Sequence, residues 1–102
     1  MNHQSSEQFE AGQVQWLRKP GDGERGELSC GVWTVTPEDA PEPTDLEIHQ
    51  DETLYIVSGH LRVEVLGGQT LELTEGSMAS FNQGAKTRWT VLKPTVEFFV
   101  YS

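Results

Sequence analysis

The acidic residues between positions 38 and 52 are the densest group of side chains that could do chemistry in this sequence. No lysine or arginine occurs between Arg25 and Arg62, so the stretch carries only negative charge at neutral pH. Carboxylate oxygens suit a hard cation such as calcium, but the spacing of an EF-hand loop is absent. We therefore expect a solvated acidic loop whose field disfavours anionic ligands at one end of the fold. The acids are Glu38, Asp39, Glu42, Asp45, Glu47, Asp51 and Glu52.

The histidines are the next candidates for metal binding or proton transfer. His49 stands close to Glu52 and could act as a ligand or a general base. Leu46 and Ile48 form the apolar phase of this segment, so alternation points His49 away from the core and predicts a position at the rim or in solvent. The histidines at positions 60 and 3 fall in a predicted turn and in the N-terminal segment.

The overall composition excludes several classes of function. Sixteen acidic and seven basic residues give a net charge of -9, which repels nucleic acid and anionic membranes, so no nucleic-acid or membrane partner is expected. The bases Lys86, Arg88 and Lys93 alternate with apolar residues, as on one solvated strand face. Cys30 is the single cysteine and is expected to be a buried, inert thiol. With no apolar leader or spanning segment, the chain is expected to be cytoplasmic.

Short β-prone segments separated by turn residues must position these side chains. At 102 residues the chain suits a single domain, expected over 13–102, after a flexible arm at 1–12. No stretch longer than a turn has helical periodicity, so the sequence predicts an all-β sandwich or barrel of about nine strands. The segments are 13–18, 28–36, 46–49, 53–57, 60–66, 69–73, 77–81, 88–92 and 96–101.

Two glycine-spaced segments resemble the paired sequence motifs of the cupin superfamily. Glu52 stands seven residues before Gly59, like the glutamate and glycine of the first cupin motif. Gly76, followed eight residues later by Gly84, resembles the second motif. The resemblance implies a cupin-type jelly-roll β-barrel, a double-stranded β-helix, with Glu52 directed into its interior.

A narrower resemblance rests on two tryptophan-containing segments. Residues 31–33 and 84–94 resemble the small single-domain cupins grouped with the ureidoglycine aminohydrolase and ethanolamine-utilisation EutQ families. The resemblance covers about residues 32–101. Many members of that group have no assigned activity, so it predicts the fold more firmly than the function.

The positions of the cupin metal ligands are altered in this chain. Metal-dependent cupins use a His-X-His pair, the motif glutamate and a histidine of the second motif. The resemblance places Leu46 and Ile48, or in a shifted register Asp45 and Glu47, at the paired positions, and Thr87 at the last one. Strand alternation favours the first register, because Leu46 and Ile48 are the apolar members of their segment. One carboxylate and one hydroxyl do not supply a transition-metal site, so we expect no metal and no other cofactor.

Glu52 is the leading candidate for chemistry. A carboxyl group inside a barrel either finds hydrogen-bond partners or acquires a raised pKa suited to proton transfer. The first hypothesis is a small-molecule-binding protein with Glu52 as its polar anchor. The second is an enzyme, either a metal-free isomerase or lyase using Glu52, or a metal-dependent hydrolase or oxygenase using Asp45, Glu47 and Glu52. The predicted pocket residues are Trp33, Leu46, Ile48, Glu52, Leu54, Met78, Ser80, Thr87 and Trp89.

The third hypothesis is a dimeric structural or interaction module whose barrel is filled by its own side chains. Residues 53–57 and 96–101 are apolar in both strand phases. One face would fill the barrel and the other would meet a second subunit, so a homodimer is expected. We also predict that Glu52 and Trp89 line the same cavity.

Overall fold

The computed structural model describes residues 11–102, and the predicted N-terminal arm lies almost entirely outside this range. The described chain is all β, and every strand pairing is antiparallel. Within it there is no helix that could cross a membrane. The strands are β1 (Gln13–Arg18), β2 (Ser29–Val35), β3 (Thr44–Glu47), β4 (Glu52–Val65), β5 (Thr70–Thr74), β6 (Met78–Phe81) and β7 (Lys86–Tyr101).

Two pairs of predicted strands are continuous, so residues 11–102 form seven strands where about nine were expected. β4 runs through the predicted turn at Gly59, and β7 runs through Pro94. Both strands bend there, and the pairing between them is irregular around Gly59. Gly59 has a φ of 109°, and a Cβ at this position would overlap the Pro94 carbonyl oxygen and Thr95. Only glycine therefore permits this close approach of the two bent strands.

The bends divide the strands into two facing layers. In the first layer, the start of β4 and the end of β7 pair with each other, flanked by β6 on one side and by β2 and β1 on the other. In the second layer, the end of β4 and the start of β7 pair, flanked by β5 and β3. Side chains of the two layers meet between them, where the rings of Trp33 and Trp89 lie 6.3 Å apart. The path from β1 to β5 does not close into a ring.

Strand alternation decides which side chains enter the space between the layers. In the first half of β4 the even-numbered residues from Glu52 to Ile56 are buried. In β7 the odd-numbered residues are buried on both sides of the bend, from Thr87 to Val91 and from Thr95 to Tyr101. The interior is therefore mostly aliphatic and aromatic, but it also receives any polar residue that falls on these phases.

Candidate functional site

The first functional side chain of the interior is Glu52. It is the first residue of β4, lies opposite Phe81 of β6 and Tyr101 of β7, and is only 1% exposed. The adjoining loops hold this end of β4 in place. The Asp51 carboxylate accepts a hydrogen bond from the backbone N–H of Gln83 at 2.7 Å. The Asp51 carbonyl oxygen accepts another from the N–H of Ser102 at 3.0 Å.

The second functional side chain is Glu97 of β7, which is fully buried. It lies between Ile56 of β4 and Trp33 of β2 in the register of the first layer. Glu97 has the same phase as Phe99 and Tyr101, so continuity of the strand places its carboxyl group inside rather than in solvent.

Neither buried carboxyl group has a buried lysine or arginine beside it in residues 11–102. No lysine or arginine of residues 11–102 is buried. In this part of the chain, Oε2 of Glu52 and both carboxyl oxygens of Glu97 have no hydrogen-bond partner. A buried polar group without a partner typically destabilises a fold by about 1–3 kcal/mol. The arrangement therefore favours a molecule that brings hydrogen-bond donors to these oxygens.

The buried environment favours the protonated, neutral forms of Glu52, Glu97 and Tyr101. Burial raises the pKa of Glu52 to about 8. Burial, reinforced by the negative charge of Glu52, raises the pKa of Glu97 well above its ordinary value. Burial, together with the charges of Glu52 and Glu97, also raises the pKa of Tyr101. The three groups share one region of low dielectric, where the charged forms are disfavoured.

Aromatic rings surround the carboxyl groups. The Phe81 ring, beside Glu52, lies 5.8 Å from Trp89, and Trp89 is 6.3 Å from Trp33, which neighbours Glu97. Trp89 Nε1 donates a hydrogen bond to Thr87 Oγ1 at 2.7 Å. These rings form a continuous apolar wall between the two acidic positions.

An open pocket of about 270 Å³ lies on the second layer. Two of its residues, Leu46 and Thr87, are also core residues. Its outer part is polar and mixed in charge. The pocket is lined by Asp45, Leu46, Glu47, Leu66, Lys86 and Thr87.

The residues at the cupin metal-ligand positions do not fit a metal. Leu46 and Ile48 are buried and apolar. The Thr87 hydroxyl donates to the Leu46 carbonyl oxygen at 2.7 Å and accepts from Trp89, so both its roles are occupied. Among residues 11–102 no cluster of three or more His, Cys, Asp or Glu side chains could hold a metal ion. The three histidine-like positions are thus filled by side chains that serve the core and not a metal.

The alternative metal site made of Asp45, Glu47 and Glu52 is wrong, because the three carboxylates do not point to a common position. Asp45 and Glu47 are exposed on the outer face of β3, whereas Glu52 points inward. The Asp45 carboxylate accepts a hydrogen bond from Arg88 Nε at 2.7 Å, which holds the pKa of Asp45 below its ordinary value. Alternation on a strand places Leu46 inside and sends both of its neighbours to solvent.

Seven of the nine predicted pocket residues are buried in the interior, and two are not. Met78 is 76% exposed and Ser80 is also exposed, so their predicted inward orientation is wrong. The phase of β6 places Ala79 and Phe81 toward the core instead. Of the nine, only Leu46 and Thr87 line the open pocket. The seven interior residues are Trp33, Leu46, Ile48, Glu52, Leu54, Thr87 and Trp89.

Glu97 is the site residue that the sequence pattern did not predict. Both phases of residues 96–101 contain aromatic residues, and Glu97 shares its phase with Phe99 and Tyr101, so alternation within that segment alone does not show which phase is buried. One feature of the sequence could have predicted the burial of Glu97, namely that Thr87 and Trp89 on the same strand are both predicted to face the interior. Continuing their odd-numbered phase through Pro94 places Glu97 inside, but the segment was interpreted as two strands.

His49 occupies the rim of the interior. It is half-buried, and its ring lies 5.5 Å from that of Tyr101. His60 lies on the opposite surface, where its Nε2 is 2.7 Å from Oε1 of Glu72. The two histidines therefore do not form a common site.

The comparison with protein families adds an independent observation. A family described as the EutQ-like cupin domain matches residues 22–98, which include Glu52 and Glu97. The chain belongs to this EutQ-like cupin family. No curated protein matches it.

Solved structures confirm the cupin jelly-roll fold expected from the sequence. The EutQ protein of Clostridium difficile is 19% identical, with a TM-score of 0.69 over 86% of this chain and 64% of that chain. Ectoine synthase from P. lautus is 20% identical, with a TM-score of 0.76 over 90% of this chain and 64% of that chain. A putative ethanolamine utilization protein Q from Salmonella typhimurium is 15% identical, with a TM-score of 0.72 over 92% of this chain and 75% of that chain.

This EutQ-like cupin thus spans less than two thirds of two of the structures that it resembles. At these identities the likeness shows the fold alone. Its function has to be argued from the residues of its own interior.

Proposed function

We propose that this cupin-domain protein binds a small molecule inside its barrel, with Glu52 as the polar anchor and without a bound transition metal. The observation that carries the proposal is the Glu52 carboxyl group, which is 1% exposed and whose Oε2 has no hydrogen-bond partner in residues 11–102. A donor group of a ligand would satisfy this oxygen, which the protein itself leaves without a partner.

The open pocket supports an entry route to the interior. It contains Leu46 and Thr87, which are also core residues, and its wall is otherwise made of surface side chains. Leu66, which is 49% exposed, contributes an apolar edge to this wall. A small molecule entering there would meet the aromatic wall at Trp89, which is bonded to Thr87.

A metabolite library screened by thermal shift tests the proposal. Compounds that raise the melting temperature of the wild type should lose about tenfold or more in affinity with Glu52→Gln, because a hydrogen bond to a charged group is worth about 1.5–3 kcal/mol. Glu75→Gln makes the same chemical change at an exposed turn residue and serves as the control. Hits that bind a folded Glu52→Gln variant unchanged would place the site elsewhere.

A second candidate function is metal-free acid–base catalysis by Glu52. It is favoured by one observation, namely that burial raises the pKa of Glu52 to about 8, close to the pH at which general acids and bases work best. An isomerase or lyase would convert a hit from the screen into a new product visible by NMR. Glu52→Gln should abolish that conversion, whereas a pure binding protein would return every hit unchanged.

The third candidate, a dimeric structural module, has its support on the outside of the first layer. Tyr55 is 41% exposed, Val57 is 47% exposed, and half-buried Phe98 is paired with Tyr55. A homodimer is compatible with ligand binding, so these two proposals are tested separately. The cytoplasmic location expected from the sequence stays a prediction, to be checked by cell fractionation.

A further inference from the structure

The two interior acids are separated by an apolar row. Glu52 pairs with Tyr101, Leu54 pairs with Phe99, and Ile56 pairs with Glu97. Glu97 is therefore offset from Glu52 by four residues along the paired strands, which is roughly 13 Å of strand length. Among residues 11–102 no group of three or more His, Cys, Asp or Glu side chains could hold a metal ion, so the two acids are not part of one. An extended organic molecule with an apolar middle matches the arrangement better.

The two acids also indicate which chemical groups a bound molecule should carry at its two ends. No lysine or arginine of residues 11–102 is buried beside the two carboxyl groups, and three of their oxygens have no hydrogen-bond partner in that range. Once ionised, the two groups would favour a ligand that carries positive charge. The protein carries a net charge of -9, which raises the local concentration of cations and repels anions. Two N–H-bearing cations would each provide charge-assisted hydrogen bonds to one carboxylate.

The walls suit an aliphatic cation as well. Trp33 and Trp89 are both buried, and an ammonium group within about 6 Å of an indole face gains further stabilisation. Leu54 and Phe99, between the acids, would contact a methylene chain.

Building on the small-molecule function above, we propose that the ligand is an aliphatic diamine whose ammonium groups are bound by Glu52 and Glu97. Its methylene chain lies along the row of Leu54 and Phe99. The carboxyl groups ionise when the cations arrive, so each diamine that binds releases protons to solvent.

Binding therefore depends on pH. Burial raises the pKa of both acids, whereas an alkylammonium group stays charged up to a pH of about 10. The titratable groups that face the acids from the packed strands are Tyr101 and, against its ring, half-buried His49. Tyr101 stays neutral because its pKa is raised, so the groups that ionise are Glu52, with a pKa of about 8, and Glu97, whose pKa is also raised. Affinity for a diamine should rise as the pH increases through about 8, where Glu52 ionises.

Isothermal titration with diaminopropane, putrescine and cadaverine tests this proposal. We expect saturable binding with a clear optimum of chain length, proton release seen as a dependence of the heat on buffer, and no binding of butanediol. Butylamine should bind at least about tenfold more weakly than the best diamine, because it satisfies one acid only. Glu97→Gln and Glu52→Gln should each reduce diamine affinity to that of butylamine, whereas Glu75→Gln should leave it unchanged.

The outcomes separate this proposal from the broader one. If no diamine binds, but library compounds bind and depend on Glu52, the diamine proposal is overturned and the small-molecule function stands. If diamines bind equally well to wild type and to a folded Glu97→Gln variant, the bridging role of Glu97 is overturned. If neither diamines nor library compounds bind, both proposals fail.

Discussion

Thr87 and Trp89, two residues apart on β7, are joined by a hydrogen bond of 2.7 Å from the indole Nε1 to the hydroxyl oxygen. The same hydroxyl donates to the carbonyl oxygen of Leu46 at 2.7 Å. One buried threonine thus connects β3 to the tryptophan that packs against Trp33 and Phe81. The position that resembles a cupin metal ligand here has a structural role.

Replacing Thr87 by valine should destabilise the fold. Valine keeps the shape of threonine but removes the acceptor used by Trp89 and the donor to Leu46, both in a buried setting. We expect the free energy of unfolding to fall by about 1–3 kcal/mol, measured by urea denaturation followed by tryptophan fluorescence. Thr70→Val, on an exposed position of β5, is the control and should change stability by less than about 0.5 kcal/mol. A Thr87→Val variant as stable as the wild type would contradict this role.

Stability should depend on pH through the buried acids. The pKa of Glu52 is raised from its ordinary 4.5 to about 8 in the folded state, and the pKa of Glu97 is also raised. The folded state then binds protons more tightly than the unfolded state. This contribution to stability is fully present below about pH 4.5 and is lost as the pH rises through about 8.

We expect the wild type to lose roughly a few kcal/mol of unfolding free energy over that range relative to Glu52→Gln and Glu97→Gln. The glutamines imitate the protonated acids and remain neutral, so their stability should change less with pH. Urea denaturation at several pH values measures the difference, with Glu75→Gln following the wild type. Parallel pH curves for the wild type and both interior variants would show that the two acids do not hold raised pKa values.

The purified, untagged protein should contain no stoichiometric transition metal. Leu46 and Ile48 offer no ligand atoms, and Thr87 is engaged in two hydrogen bonds. Elemental analysis checks this expectation. About one manganese, iron, nickel or zinc ion per chain, lost in Glu52→Gln, would establish a metal site that these residues do not suggest.

A homodimer is expected to form through the outer face of the first layer. Val57 is 47% exposed on this face, beside an exposed tyrosine, and such a surface is unfavourable in water. Light scattering should give about twice the chain mass of 11.4 kDa. Val57→Lys should shift the protein toward the monomer, whereas Leu66→Lys, with a similar exposure of 49% at the pocket, should not. A wild type that remains monomeric at high concentration would refute the homodimer.

The local pattern of the sequence predicted most of the strands, and the resemblance to the cupin motifs predicted the fold. The segment 13–18 coincides with β1, and the turn at Gly67 and Gly68 joins β4 to β5 as expected. These features succeed because turn residues and alternation act over a few neighbouring positions. Turn chemistry also misled the prediction at Gly59 and Pro94, where the chain bends without leaving the sheet.

The candidate site needed the tertiary structure. The phase of Leu46 and Ile48 follows from the sequence, since one side of that segment is apolar and the other is polar. The phases of residues 78–81 and 96–101 cannot be read from the sequence in this way, because each side of these two strands carries residues that could be buried. Their orientation is decided by register against β4, which turns Met78 outward and Glu97 inward.

Composition and short-range alternation were enough to predict an acidic, all-β domain, because those properties are local to the chain. The resemblance of its glycine-spaced segments to known motifs added the EutQ-like cupin fold, with Glu52 in the first motif. The three-dimensional arrangement was needed to show that Glu52 shares the interior with a second acid. Glu97 lies 45 residues further along the chain than Glu52, and the two share the interior only because β4 pairs with β7. The raised pKa values follow from that shared burial, which no local pattern of the sequence contains.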